Sequence, residues 1–271
     1  MTKDRQGIGK GLEGSKVGRL ESSVSQSESH SLSQSNEITP EELRRRVADI
    51  KRILALNAMD PSRPPGLLAV TKTIPAEVIE MLPFDEIDGI GENRAGEIFH
   101  KFGRLCQKTK FHMIGRLQTN KVAGIISRVS FIQSLDRDSL AEEIHRHASE
   151  AGIAARCLVQ VNIGREPQKG GVPPELTRDA VRRFSRYSGI RVMGLMAMLP
   201  MVANGAESEL EGLRPLFRQM RRLFEEVRED ATANTSIEVL SMGMSADAVI
   251  AAQEGATMAR IGSALFGARH G

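Results

Sequence analysis

Tryptophan is absent from the 271 residues, tyrosine occurs once, at Tyr187, and aromatic side chains make up 4% of the chain. So sparse a set argues against a stacking platform for single-stranded nucleic acid, which needs an aromatic face for each of several bases. The charge balance adds no such signal: a formal net charge of +3 is small for this length, and a pI near 9.0 names no partner by itself. Cysteine is nearly absent too. Cys106 and Cys157 stand far apart with no C-x-x-C partner, and they read as buried thiols of a reducing compartment rather than as a disulfide. No run of eighteen or more apolar residues is present to span a membrane, and the N-terminus lacks the apolar stretch of a secretory signal. His, Cys, Asp and Glu nowhere fall at metal-ligand spacing, so no metal is expected. The expectation is a cytoplasmic protein with neither nucleic acid nor membrane as partner.

Large apolar side chains are also scarce between Met1 and Glu37, where Ser, Gly, Gln, Glu and Lys dominate. Such a segment cannot offset its ordering entropy, and residues 1–37 are expected to form a disordered tail. A transit peptide, a regulatory tail and translated upstream sequence are other readings; Glu13, Glu21 and Glu28 weigh against the first. The folded unit, residues 38–271, begins with Thr39 as N-cap, Pro40 at N1 and Glu42 at N3, a capping box. Leu43, Val47, Ile50 and Leu54 then recur at helical spacing, which predicts an amphipathic helix over 40–58, ended by Pro61, Pro64 and Pro65. Eight short apolar runs follow, at 67–72, 89–92, 111–117, 131–135, 156–163, 191–198, 239–242 and 258–261, with helical patterns between them. This alternation predicts an α/β fold, a single (β/α)8 TIM-type barrel, with an open doubly wound sheet as the alternative, because periodicity counts strands better than it shows closure.

In a barrel of this kind, function gathers where the strands end. Lys72 follows the first run, and a lysine at the mouth of a buried strand is poorly solvated, which lowers its pKa and frees the amine to attack a carbonyl. Asn93 follows the second run. After the seventh and eighth come Ser241-Met242-Gly243-Met244-Ser245 and Arg260-Ile261-Gly262-Ser263, two Gly/Ser turns of the sort that cradle phosphate. Each signal alone is weak, since strand-end lysines and Gly-Ser turns are common. Strands one and eight are neighbours in a closed barrel, however, so amine and cradle would share one rim. An amine nucleophile beside a phosphate site suggests a Schiff base with pyridoxal 5′-phosphate (PLP). His112 reads as a satisfied core histidine. The strand-end methionines Met193, Met196, Met198, Met242 and Met244 read as barrel filler, and the arginines of 218–228 as a solvated helix face.

The segments Ala69–Lys72, Gly91–Asn93, His112–Lys121, Ser241–Ser245 and Arg260–Gly267 together resemble the pyridoxal phosphate homeostasis proteins, the YggS-like or proline synthetase co-transcribed family, and the resemblance runs from about Ile38 to Arg269. It implies a barrel like the N-terminal domain of alanine racemase, PLP held as an internal aldimine, and a role in buffering PLP or delivering it to apoenzymes. Residue by residue, the resemblance makes Lys72 the Schiff-base lysine and sets Asn93 near the ring. It puts Ser241, Gly243, Met244, Ser245, Gly262 and Ser263 on the phosphate, Arg260 on the pyridine nitrogen, and Asn162, Glu166 and Lys169 near the mouth. Arg116 departs from the family, where Pro or His is frequent. An arginine stays protonated, so the pyridine nitrogen beside it stays unprotonated and the ring is a weak electron sink. A racemase also needs a second acid from a C-terminal β-domain. None is expected here, because the chain ends at Gly271 and Tyr187 lies before the sixth strand, away from the site. A monomeric PLP carrier without catalytic residues is therefore expected, with a slow racemase or lyase as the alternative.

Overall fold

The computed structural model describes residues 38–200, 206–230 and 232–267, so the expected tail at 1–37 lies outside the described residues. The first helix spans Pro40–Leu56 and buries Leu43, Val47, Ile50 and Leu54. Thr39 Oγ1 accepts the Glu42 N–H at 3.2 Å, and the Glu42 carboxylate pairs with Arg46 one turn on. Asn57 ends the helix two residues before the predicted limit by donating its side-chain amide to Ile53 O at 2.9 Å. The helix packs on the short helices Ala248–Gln253 and Ser263–Phe266, where Arg46 donates to Leu265 O at 2.7 Å. Thr39→Ala is expected to cost about 1 kcal/mol in urea unfolding, the usual worth of an N-cap.

Eight parallel strands close into a barrel in sequence order. They are β1 (Gly66–Val70), β2 (Gly89–Glu92), β3 (Phe111–Met113), β4 (Phe131–Leu135), β5 (Ala155–Val161), β6 (Ile190–Ala197), β7 (Thr235–Ser241) and β8 (Met258–Ile261). Closure rests on β1 pairing with β8 from Gly66↔Met258 to Ala69↔Ile261, which removes the open-sheet alternative. The two largest differences from the predicted strand limits fall at the end of β3 and the start of β7. β3 stops at Met113 because the next two N–H groups, of Ile114 and Gly115, both turn to Glu92 O at 2.9 and 3.4 Å. Gly115 there backs onto Asn93, and a Cβ at that position would run into the Asn93 carbonyl. β7 begins at Thr235, four residues before the predicted run at Val239; its first two residues, Thr235 and Ser236, are polar and half-buried and so carry no apolar signal. Backbone pairing recruits it nonetheless: Asn234 O accepts the Val192 N–H at 3.0 Å.

Helices such as Ala95–Leu105, Asp138–Glu150 and Arg214–Glu229 cover the barrel with their buried stripes. The strands end one or two residues short of the predicted limits, at Val70, Val161 and Ala197. Lys72, Asn162 and Met198 therefore stand on the loops of one rim.

Candidate functional site

The loop after β1 is held on both sides of Lys72. Thr71 donates its N–H to Gly91 O at 3.0 Å and its hydroxyl to Glu92 Oε1 at 2.7 Å. Thr73 adopts a positive φ of 66°, rare for a β-branched residue, and its N–H reaches Glu97 Oε2 at 2.6 Å. Lys101, from the buried stripe of the helix Ala95–Leu105, ties the parts together. Its Nζ donates to Thr71 O at 2.9 Å, Glu92 Oε1 at 2.7 Å and Glu97 Oε2 at 2.9 Å. Glu92 is fully buried and Lys101 is 8% exposed. Burial raises the Glu92 carboxyl above its ordinary range against the pull of Lys101 and Thr71, and its Oε2 has no hydrogen-bond partner. Glu97 is itself partly desolvated, but the Thr73 N–H and Lys101 hold it below the ordinary range. Both peptide neighbours of Lys72 are thus fastened to one buried ionic cluster.

Arg260 rises from β8, its side chain buried in the barrel. Nη1 donates to Ser241 O and Ser241 Oγ, both at 2.8 Å, and Nη2 to Ala197 O at 3.0 Å, so the guanidinium joins β6, β7 and β8. Burial draws its pKa down to about 10, opposed by the charge of Asp247, and it remains a cation at neutral pH. Beneath it a chain of hydrogen bonds crosses the barrel: Ser241 Oγ donates to Gln133 Oε1 at 2.8 Å, and Gln133 Nε2 lies 3.0 Å from His112 Nδ1. His112 is buried, which brings its pKa down to about 3 and keeps the ring neutral; it is a core histidine rather than an acid or base, but not a fully satisfied one, since its Nε2 has no hydrogen-bond partner.

Two turns complete the rim. Gly243 has φ 90°, and a Cβ there would meet Ala251 Cβ at 2.5 Å, so both conformation and packing require glycine. The Met244 N–H donates to Asp247 Oδ1 at 2.5 Å, and the Arg260 N–H to Gly243 O at 3.0 Å. Ser245 Oγ accepts the N–H groups of Gly262 and Ala264, both at 3.2 Å, so backbone donors of the second turn converge on the hydroxyl of the first. Asp247 is nearly buried, which raises its carboxyl above the ordinary range.

These elements enclose a cavity of about 800 Å³. Lys72, Asn93, Gly243, Met244, Ser245, Arg260, Gly262 and Ser263 all line it. Ser241 is the exception: it does not line the cavity and is fully buried. As the last residue of β7 it still points into the barrel, where Gln133 and Arg260 occupy its hydroxyl, so it supports Arg260 instead of joining the cradle. Asn162 likewise stitches its own loop, donating to Glu166 O at 2.9 Å and Lys169 O at 3.1 Å. Lys169 lines the cavity but pairs with Glu166 at 2.5 Å and donates to Leu199 O at 2.7 Å. Tyr187 packs on the His145 ring, with centroids 5.3 Å apart, and is not among the lining residues.

Sequence reasoning missed Asp247, Gln133 and the cluster of Glu92, Glu97 and Lys101. Asp247 had a signal, an N-cap residue type just before the apolar run Ala248-Val249-Ile250. Lys101 had one as well, since it falls on the stripe of Ala95, Ile98 and Leu105. Among the described residues no group of three or more His, Cys, Asp or Glu could hold a metal, and no helix is long and apolar enough to cross a membrane.

A family model described as alanine racemase, N-terminal domain, matches residues 39–270. A pyridoxal phosphate homeostasis protein of Aquifex aeolicus (strain VF5) is 40% identical over 204 residues, covering 75% of this chain and 86% of its own. The solved structure of PipY from Synechococcus elongatus PCC7942, with PLP bound, is similar with a TM-score of 0.69 and 30% identity, over 83% of this chain and 99% of that one. Alanine racemase of Clostridium difficile 630 reaches a TM-score of 0.67 at 17% identity, over 86% of this chain and 58% of that one, a likeness of fold alone.

Proposed function

Because the chain belongs to the pyridoxal phosphate homeostasis protein family, built on the alanine racemase N-terminal domain, we propose that it holds PLP in the cavity at the barrel rim and serves as a carrier and buffer of that cofactor. The observation that carries this reading is that Lys72, the buried cation Arg260 and the two turns Gly243–Ser245 and Gly262–Ser263 line one cavity of about 800 Å³. The donor set fits the group. Lys72 is an amine for the aldehyde, Arg260 a fixed positive donor for the pyridine nitrogen, and the turns of Gly243–Ser245 and Gly262–Ser263 present hydroxyl and backbone groups where the phosphate would sit. Bound there, PLP would supply an aldehyde, and the Lys72 amine is the group that would hold it. Asn93, at the end of β2, borders the same space.

The residues around Lys72 favour holding over turnover. Arg260 stays charged at neutral pH, so a pyridine nitrogen beside it is not protonated, and the ring is a poor sink for carbanion electrons. Among the described residues, Asp247 is the one carboxylate that lines the cavity, and it is committed to the Met244 N–H. Among the described residues no tyrosine or histidine lines the cavity, and Asp247 and Lys169, which do, are engaged with the Met244 N–H and with Glu166, so no uncommitted general acid stands opposite Lys72 as a two-base racemase would require. In this reading residues 38–271 form the cofactor-holding unit, acting as a cytoplasmic monomer that releases PLP to apoenzymes.

The test is the absorbance of purified protein incubated with PLP, before and after borohydride, with Lys72→Ala alongside. The wild type is expected to show a band at the violet edge of the visible that borohydride abolishes, and the variant to lack it. A colourless wild type would remove the cofactor. Rapid turnover of a small amino acid by the loaded protein would replace carrier with enzyme.

A further inference from the structure

A second cavity of about 870 Å³ lies beside the first and shares Asn93 and Arg116 with it. Its charge is of one sign. Arg94, Arg116, Lys121 and Arg137 line it, and among the described residues no carboxylate does. Arg137 is already occupied, by Asp136 at 2.6 Å and by Leu117 O at 2.8 Å. Arg94, Arg116 and Lys121 have no ion-pair partner among the described residues.

Several arginines elsewhere on this surface are neutralised by carboxylates. Arg104 pairs with Glu77 and Glu80, Arg146 with Glu143 and Glu150, Arg178 and Arg182 with Asp230, and Arg214 with Glu211 and Glu254. Three unpaired cations around one concavity repel each other, and a concave wall strengthens their common field, so the arrangement favours an anion between them. The backbone adds to that field. The helix Ala95–Leu105 opens into the cavity with Arg94 at its N-cap and no side-chain cap, and a side chain at Gly96 would meet nothing within 4 Å. The amides of Asn93, Gln118 and Asn120 also border it.

We infer that this cavity is a second anion site, separate from the cradle at Gly243–Ser245 and Gly262–Ser263, and that its ligand is a small polyanion carrying two or more phosphoryl groups. The class follows from the walls. Three arginine or lysine heads exceed what one phosphate needs, the volume exceeds that of inorganic phosphate, and no aromatic side chain lines the space to stack a base. The inference does not require that PLP occupies the neighbouring cavity.

Calorimetric titration with pyrophosphate tests it, with inorganic phosphate as the single-group control and Arg94→Gln/Lys121→Gln as the variant. Neither of those two residues lines the first cavity, so the variant should bind PLP as the wild type does. The wild type, loaded with PLP and reduced with borohydride to block the first cradle, is expected to bind pyrophosphate tighter than phosphate. The affinity should fall as salt rises, and by about tenfold for each cation removed. Absence of pyrophosphate binding, equal affinity for phosphate and pyrophosphate, or an unchanged affinity in the variant overturns the inference. If PLP does not load, the carrier reading fails by itself, and comparing pyrophosphate binding by the unloaded wild type and the variant still decides this one.

Discussion

Lys101→Met is expected to destabilise the fold by about 3–5 kcal/mol near neutral pH, because removing one partner of a buried ion pair leaves the other charge without compensation. The stranded group is Glu92, fully buried and bonded by Lys101 at 2.7 Å. Its carboxyl is already raised by burial, and the loss of Lys101 raises it further. Where the folded pKa exceeds the unfolded one, the native state binds the extra proton, so stability falls as pH climbs from the unfolded value through the folded one. Glu97 acts in the same sense: Lys101 helps to hold its pKa down, a contribution that exists only above the ordinary carboxylate range. The penalty in the variant should therefore be largest near neutrality and should shrink as pH approaches the unfolded glutamate value of about 4.3.

Urea unfolding of wild type and variant across that range measures the effect. A second substitution, Glu92→Gln, is expected to restore most of the loss, leaving about 1 kcal/mol for the Thr71 carbonyl that Lys101 no longer satisfies. Since Lys101 and the two glutamates fasten Thr71 and Thr73, the single variant should also bind PLP more weakly. A variant of wild-type stability at neutral pH would show that the cluster does not hold the Lys72 loop.

The features that the sequence displayed were local ones. Thr39 and Glu42 announce the first helix, Leu67–Val70 announce the first strand, and glycines at 243 and 262 mark turns whose backbone the structure bends as required. Closure was not local: the pairing of Gly66 with Met258 joins residues far apart in sequence, and no window of either strand shows it. The end of β3 depends on Ile114 and Gly115 bonding to Glu92 O across strands, so a continuous apolar run to Leu117 misled. Lys101 falls on the buried stripe of its helix, but its partner Glu92 lies on β2, and nothing local in the sequence joins the two. Ser241 was grouped with Gly243 because they are two residues apart, yet the last strand residue and the first turn residue face different surroundings. The chain His112–Gln133–Ser241–Arg260 spans four strands, and nothing in the spacing of those residues announces it.

Arg260→Met is expected to be as costly as the loss of Lys101 and to act on the cofactor more directly. The guanidinium satisfies Ser241 O, Ser241 Oγ and Ala197 O from inside the barrel, and methionine can satisfy none of them. Unmet buried carbonyls cost about 1–3 kcal/mol each. Asp247 loses its neighbouring cation as well, so a carboxyl already raised by burial rises further, and by the same linkage the deficit grows as pH increases above the carboxylate range. A total loss of about 3 kcal/mol or more near neutral pH is the expected result in urea unfolding.

Arg260→Lys should fall between wild type and Arg260→Met. Its ammonium keeps the charge that steadies Asp247 but cannot span Ser241 and Ala197 as a planar fork does. PLP titration separates the two roles. With the charge and the fork both gone, affinity should drop by at least about tenfold, while the lysine variant keeps more of it. If Arg260→Met bound PLP like the wild type, the cation would be only a brace between β6, β7 and β8. The pyridine nitrogen would then need another partner, and the argument that its protonation state disfavours turnover would lose its basis.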